Sequence, residues 1–93
     1  AELARRRGVR PYARVLGYGA TSDAHHMVQP RADGREAARA VRIALEDAAV
    51  PAAEIDWVSA HASSTPIGDI AEARALAAAL GEEIQRRSIR WAA

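Results

Sequence analysis

The period of apolar and polar positions changes several times along the chain, and each change marks an element. Leu3 and Ala4 precede a cluster of arginines and then Gly8, so residues 1–7 are expected to be the end of a helix stopped at that glycine. Residues 9–18 bring β-branched and aromatic side chains into partial alternation, which predicts a strand. Residues 21–34 predict a long loop punctuated by Pro30 and the Asp33-Gly34 pair. The clearest element follows. Asp33 can cap a helix, Glu36 can close a capping box, and Ala37, Val41, Ala44, Leu45 and Ala48 recur at helical spacing opposite Arg35, Arg39, Arg42 and Glu46. That helix is expected to end before Pro51. Ile55, Trp57 and Val58 make residues 53–60 a short apolar run suited to a buried strand. A second helix is predicted from Thr65, a cap followed by Pro66, to about Leu80, with Gly81 as its stop and Ile70, Ala73, Leu76, Ala77 and Leu80 as its apolar face. Ile89 and Trp91 predict a weak strand over residues 86–93. The order strand, helix, strand, helix implies an α/β layer with right-handed crossovers.

Composition narrows this picture. Among 93 residues the hydrophobic fraction is 49% but the aromatic fraction only 4%, and about a quarter of the chain is Ala. Large side chains to fill an independent core are therefore few, and marginal stability in isolation is expected. The 13 basic residues, all Arg, nearly balance 12 acidic ones, leaving a charge of +1 that gives no pull toward nucleic acid or an anionic membrane. The run Arg5-Arg6-Arg7 reads as a solvated helix end. Cysteine is absent, which excludes disulfides, thiolate metal sites and a Cys nucleophile within these residues. No apolar stretch approaches the roughly 18 residues of a membrane span, and a cytoplasmic protein with no membrane partner is expected.

Candidate chemistry gathers at His61. It directly follows a predicted strand and directly precedes a hydroxyl-rich turn that opens a helix, and ligands of α/β sheets collect beyond the carboxyl ends of strands. A helix N-terminus nearby disfavours imidazolium, leaving a neutral ring able to donate to a developing oxyanion. Ser63, Ser64 and Thr65 could hold a polar ligand. On spacing alone, a histidine that merely satisfies loop backbone groups is the competing reading.

The run Ala60-His61-Ala62-Ser63-Ser64-Thr65-Pro66-Ile67-Gly68-Asp69, with Glu72 three residues on, resembles the His-Gly-Thr-Ser-Thr-Pro-x-Gly-Asp-x-x-Glu signature of β-ketoacyl synthases. Upstream, Gly17-Tyr18-Gly19-Ala20-Thr21-Ser22-Asp23-Ala24-His25-His26-Met27 is similar to that family's Gly-x-Gly-x-x-Ser-Asp-Ala-x-His-Met stretch. The resemblance implies a piece of the C-terminal half of a layered, dimeric, thiolase-like α/β fold. The implied activity is decarboxylative condensation of acyl thioesters with malonyl-acyl carrier protein, in fatty acid or polyketide elongation, by a Cys-His-His set. On this likeness His61 matches the first catalytic histidine, and Ser63 and Thr65 match hydroxyls that bind the pantetheine arm. Glu72 matches an acid that pairs with a Lys, a residue type this chain lacks. Asp69 supports the motif, while Asp23 and His26 match a loop near the site entrance, His26 in a structural role. The implied partners are acyl carrier protein and its thioesters. No resident cofactor or metal is implied, because the substrates carry their own phosphopantetheine.

Two departures carry consequences. Ala62 replaces the family Gly, tolerable if its φ is negative, and Ser63 replaces Thr while keeping the hydroxyl. Over residues 84–93 the likeness to the family fails, as a truncated or frame-shifted reading frame would make it. Residues 1–93 are therefore expected to be a fragment that is inactive alone, with Ile55, Trp57 and Val58 less buried than in the whole fold. Three rivals stand beside this reading: a non-catalytic chain-length-factor-like subunit, a small module binding metal through His25, His26 and His61, and an arginine-rich nucleic-acid binder.

Overall fold

The structure, a computed structural model, describes residues 2–81 and 90–92. Helix α1 (Glu2–Arg6) ends as its arginines and glycine predict. Gly8 turns left-handed at φ 65°, and the N–H groups of Gly8 and Val9 return to the Arg5 and Ala4 carbonyls. Helix α2 (Arg35–Ala48) leads through a single 3₁₀ turn (Ala52–Glu54) to strand β1 (Trp57–Ser59). Helix α3 (Pro66–Leu80) then precedes β2 (Arg90–Ala92), which pairs parallel with β1 in the register Trp57 with Arg90, Val58 with Trp91 and Ser59 with Ala92. Two parallel strands separated by a helix make this a partial α/β fold. Of the tail strand predicted over 86–93, residues 90–92 form β2; residues 86–89 and 93 lie outside the described residues, as do 84 and 85.

The core lies where α2 and α3 meet. Leu76 and Leu80 are buried, with Val41, Leu45, Ile55, Val58 and Ala79 packed against them. The two helices run side by side in the same sense. Gly34 approaches the backbone of Ala71 and Ala75 so closely that a Cβ there would collide with it, and at the other end Arg42 donates to the Ala78 carbonyl at 2.8 Å. Arg74 makes a matching tie to the Ala32 carbonyl at 2.7 Å. Each guanidinium thus satisfies a carbonyl on the neighbouring element.

Five expectations need correction. Residues 9–18 form no strand; they have no regular secondary structure and bend at Tyr12, and the N–H of Tyr18 goes to the Asp47 carboxylate at 2.9 Å instead of to a ladder. Gly17 and Gly19 let this segment lie against the Ala40, Ala44 and Ala48 side of α2 with no room for a Cβ. The capping box does not form. Gly34, at φ 65°, takes the N-cap; Asp33 reaches past it to the Arg35 N–H at 3.1 Å, and the Glu36 carboxylate pairs with Arg35 and Arg39. On α2 it is Ala38 that is buried, whereas Ala37 is exposed. On α3 the buried stripe is Ala71, Ala75, Leu76 and Leu80, while Ile70, Ala73 and Ala77 face outward. The residues expected in a buried strand divide, Ile55 and Val58 being half-buried and Trp57 exposed.

Candidate functional site

Strand β1 ends at Ser59, and two residues later the chain turns into the loop that carries His61. The loop is built from helix α3. Glu72, one turn and a half into that helix, reaches back so that its Oε1 accepts the His61 N–H at 2.8 Å and its Oε2 accepts the Ala62 N–H at 2.9 Å. Two consecutive backbone donors held by one carboxylate are charge-assisted bonds of the stronger kind. Ala62 and Ser64 both adopt left-handed backbone, at φ 41° and 61°. The condition set for Ala62 therefore fails: its φ is positive, and a Cβ in that region costs about 1–2 kcal/mol that Gly would not incur.

The start of α3 follows its sequence. Thr65 caps the helix, its Oγ1 accepting the Gly68 N–H at 3.2 Å, with Pro66 in the first turn. Ser63 Oγ lies 3.0 Å from Thr65 Oγ1. Two hydroxyls have two protons; one joins them, so one remains to be donated to a ligand. Asp69 stands in the first turn, where its negative charge complements the positive end of the helix.

The second motif forms one side of the same site. Asp23 accepts the Arg31 N–H at 2.9 Å, closing the loop between them. His26 Nδ1 accepts the N–H groups of Val28 and Gln29 at 3.2 and 3.1 Å, so its ring organises the loop and carries its proton on the other nitrogen. Arg31 and Asp33 form a two-bonded ion pair, at 3.2 and 2.9 Å. The Arg31 guanidinium, then the Arg35 N–H, holds the Asp33 carboxyl down to about 2, and Asp33 raises Arg31 in return. A cavity of about 270 Å³ opens between loop and helices. Asp23, Arg31, His61 and Glu72 supply its polar lining, and Ala37, Val41, Ala71, Ala75 and Leu76 its apolar wall. The structure thus brings His61, Glu72 and Asp23 around one space. His26, Ser63, Thr65 and Asp69 stand outside its lining. Arg31 was missed as a lining residue; its one sequence signal is an acid two positions on.

Among the described residues no three His, Cys, Asp or Glu gather as metal ligands, so His25, His26 and His61 do not converge. No described helix is long and apolar enough to cross a membrane.

A histidine beyond the carboxyl end of a parallel strand, backed by a helix N-terminus and a cavity, marks an α/β fold with a candidate site where such folds gather ligands. The chain belongs to the β-ketoacyl synthase family: the family described as Beta-ketoacyl synthase, C-terminal domain, matches residues 12–90. It is 48% identical over 81 residues to the mitochondrial 3-oxoacyl-[acyl-carrier-protein] synthase of Arabidopsis thaliana, covering 87% of this chain and 18% of that protein. It is 46% identical over 81 residues to 3-oxoacyl-[acyl-carrier-protein] synthase 2 of Vibrio cholerae, covering 87% of this chain and 20% of that one. Among solved structures it is similar to a type II polyketide ketosynthase in complex with its acyl-carrier protein and bound to the hexaketide, with TM-score 0.81 and 40% identity over 88% of this chain and 20% of that one. A β-ketoacyl synthase from Burkholderia phymatum gives TM-score 0.79 and 45% identity over the same shares. The chain spans about a fifth of the length of these relatives.

Proposed function

We propose that the chain is the His61-bearing segment of a cytoplasmic, homodimeric, thiolase-like β-ketoacyl synthase that elongates acyl chains with malonyl-acyl carrier protein. The observation that carries this reading is the loop beyond β1, where Glu72 and the α3 cap fix His61 beside a cavity. In the proposed reaction the malonyl thioester loses carbon dioxide, and its electron pair becomes an enolate. The His61 ring donates a hydrogen bond to the thioester oxygen as that charge develops. The carbon then attacks an acyl thioester on a Cys, and the Cys sulfur leaves as thiolate. This chain contains no Cys and no Lys, so the nucleophile and the cation expected near Glu72 come from elsewhere. The remaining hydroxyl proton of the Ser63–Thr65 pair is suited to a carbonyl of the pantetheine arm. The substrates bring that arm with them, and no further cofactor is needed. The structural neighbour bound to an acyl-carrier protein supports a carrier protein as partner.

The test is a synthase in which residues 12–81 replace the matching segment of the Vibrio cholerae relative. His61→Ala is expected to slow decarboxylation of malonyl-acyl carrier protein by roughly a hundredfold or more, the scale of losing one oxyanion donor. An unchanged rate overturns the catalytic assignment and favours the non-catalytic reading, which a similar ketosynthase/chain length factor structure, 42% identical with TM-score 0.78, keeps in view. The purified 93-residue chain alone is expected to form no carbon–carbon bond.

A further inference from the structure

We propose that Glu72 is a positioning residue that acts on His61 through the backbone, and that Ala62 makes this chain more dependent on it than a chain with Gly there would be. The inference for catalysis rests on the function proposed above; the inference for geometry does not.

The geometry is specific. Both Glu72 oxygens are engaged by neighbouring N–H groups, His61 at 2.8 Å and Ala62 at 2.9 Å, so the carboxylate holds the two successive peptide groups on either side of the His61 Cα. Ala62 would leave its left-handed conformation, φ 41°, if released, because its Cβ disfavours that region. Rotation at Ala62 swings the chain on which His61 sits. Gly at the same position has no such preference, and a loop containing it would keep the left-handed turn more often without the clamp. Glu72 therefore does two things with one group: it orders the loop, and it opposes a conformational preference that Ala62 introduces.

A carboxylate that served only as partner to a cation would behave differently. Its removal would not be relieved by any change at residue 62, so the two roles separate in a double-mutant cycle. The experiment measures amide hydrogen exchange at His61 and Ala62 in the full chain and in Glu72→Gln, Ala62→Gly and the double variant. Exchange at Leu76 and Leu80 monitors the fold. Glu72→Gln is expected to speed exchange at both N–H groups by roughly ten- to a hundredfold, the scale of one bond to a charged acceptor. If that variant loses the fold, Glu72→Asp, one methylene too short to reach both donors, takes its place. In the hybrid synthase, Glu72→Gln is expected to lower kcat more than it raises KM, and adding Ala62→Gly is expected to recover at least about a third of the lost rate.

Unchanged exchange in Glu72→Gln, with Leu76 and Leu80 still protected, would overturn the clamp. Faster exchange with no recovery of kcat on adding Ala62→Gly would overturn the coupling to the left-handed turn. If the exchange cycle behaves as expected while the hybrid shows no His61-dependent activity, the positioning inference stands and the proposed function falls.

Discussion

Replacing Gly17 by Ala adds one methyl group where residues 17–19 lie against α2. Its Cβ would lie 2.5 Å from the Ala44 carbonyl oxygen, 2.5 Å from the Ala48 nitrogen and 2.8 Å from the Ala48 Cβ. Comfortable contacts of this kind begin near ~3.5 Å, so the segment must retreat by about 1 Å. Helix backbone cannot swing aside as a side chain can. Gly17 is not among the positive-φ glycines, so Ala there introduces no backbone strain and would gain about 0.4–1 kcal/mol from a less free unfolded chain. Against this stand about 1–3 kcal/mol for overpacking and about 1 kcal/mol if Tyr18 loses its bond to Asp47. The net expectation is a loss of about 1–3 kcal/mol. Urea unfolding followed by circular dichroism should show a lower midpoint at an unchanged slope. Gly8→Ala is the comparison: nothing lies within 4 Å of its Cβ, so only the left-handed penalty of about 1 kcal/mol remains. A Gly17→Ala chain within about 0.5 kcal/mol of the original would refute the docking of residues 17–19 on α2.

Three further outcomes follow from named contacts. Asp33 titrates at about 2 when folded, against 3.8 for the free group, so its stabilising contribution is complete above about 4 and is lost as pH falls toward 2. Asp33→Asn should flatten the stability profile in that window, and a nuclear magnetic resonance titration placing Asp33 at or above 3.8 would contradict the ion pair with Arg31. Leu80→Ala should cost about 2–4 kcal/mol because Leu80 is only 3% exposed, whereas Ile70→Ala, at 52% exposed, should change thermal stability little. The reverse order in thermal melts would put the core on the other face of α3. Thr65→Ala should cost about 0.5–2 kcal/mol through loss of the bond to Gly68, with Thr65→Ser retaining most of it; equal melting of all three chains would remove Thr65 as the cap.

The sequence carried the helices better than the surfaces they bury. Gly8, Pro66 and Gly81 act locally, through backbone geometry each residue fixes by itself, and the ends of α1 and α3 fall where they predict. The buried face of α3 was illegible because Ile67, Ile70, Ala71, Ala75, Leu76 and Leu80 surround the helix with apolar groups, leaving no polar side to orient it. The strand expected over 9–18 failed for a complementary reason. Alternation describes a segment's two faces, but a ladder also needs a neighbour, and here the Tyr18 N–H is taken by an acid on α2. The cap expected at Asp33 lay one position too early in the chain, since Gly34 takes the N-cap and supplies the turn that lets Asp33 reach Arg35. At the site, His61 was legible from its place between a predicted strand and a helix start, and Glu72 only as a member of a familiar motif. Their joining through backbone N–H groups leaves no trace in residue identity, and neither does the left-handed turn at Ala62.

Among the described residues, the bonds that shape the His61 loop originate within residues 61–72: Glu72 holds two N–H groups, Thr65 caps α3, and Ser63 meets Thr65. The second loop is likewise closed from within, by Asp23 and His26 acting on residues 28–31. Short sequence separation makes such contacts cheap in conformational entropy, since little chain must be ordered to form each one. Reaction chemistry has the opposite requirement, because a nucleophile must be brought to the histidine from a different part of the sequence. The two needs divide along the chain: the geometry that presents His61 is encoded locally, within these residues, and the thiolate that the proposed condensation requires is not.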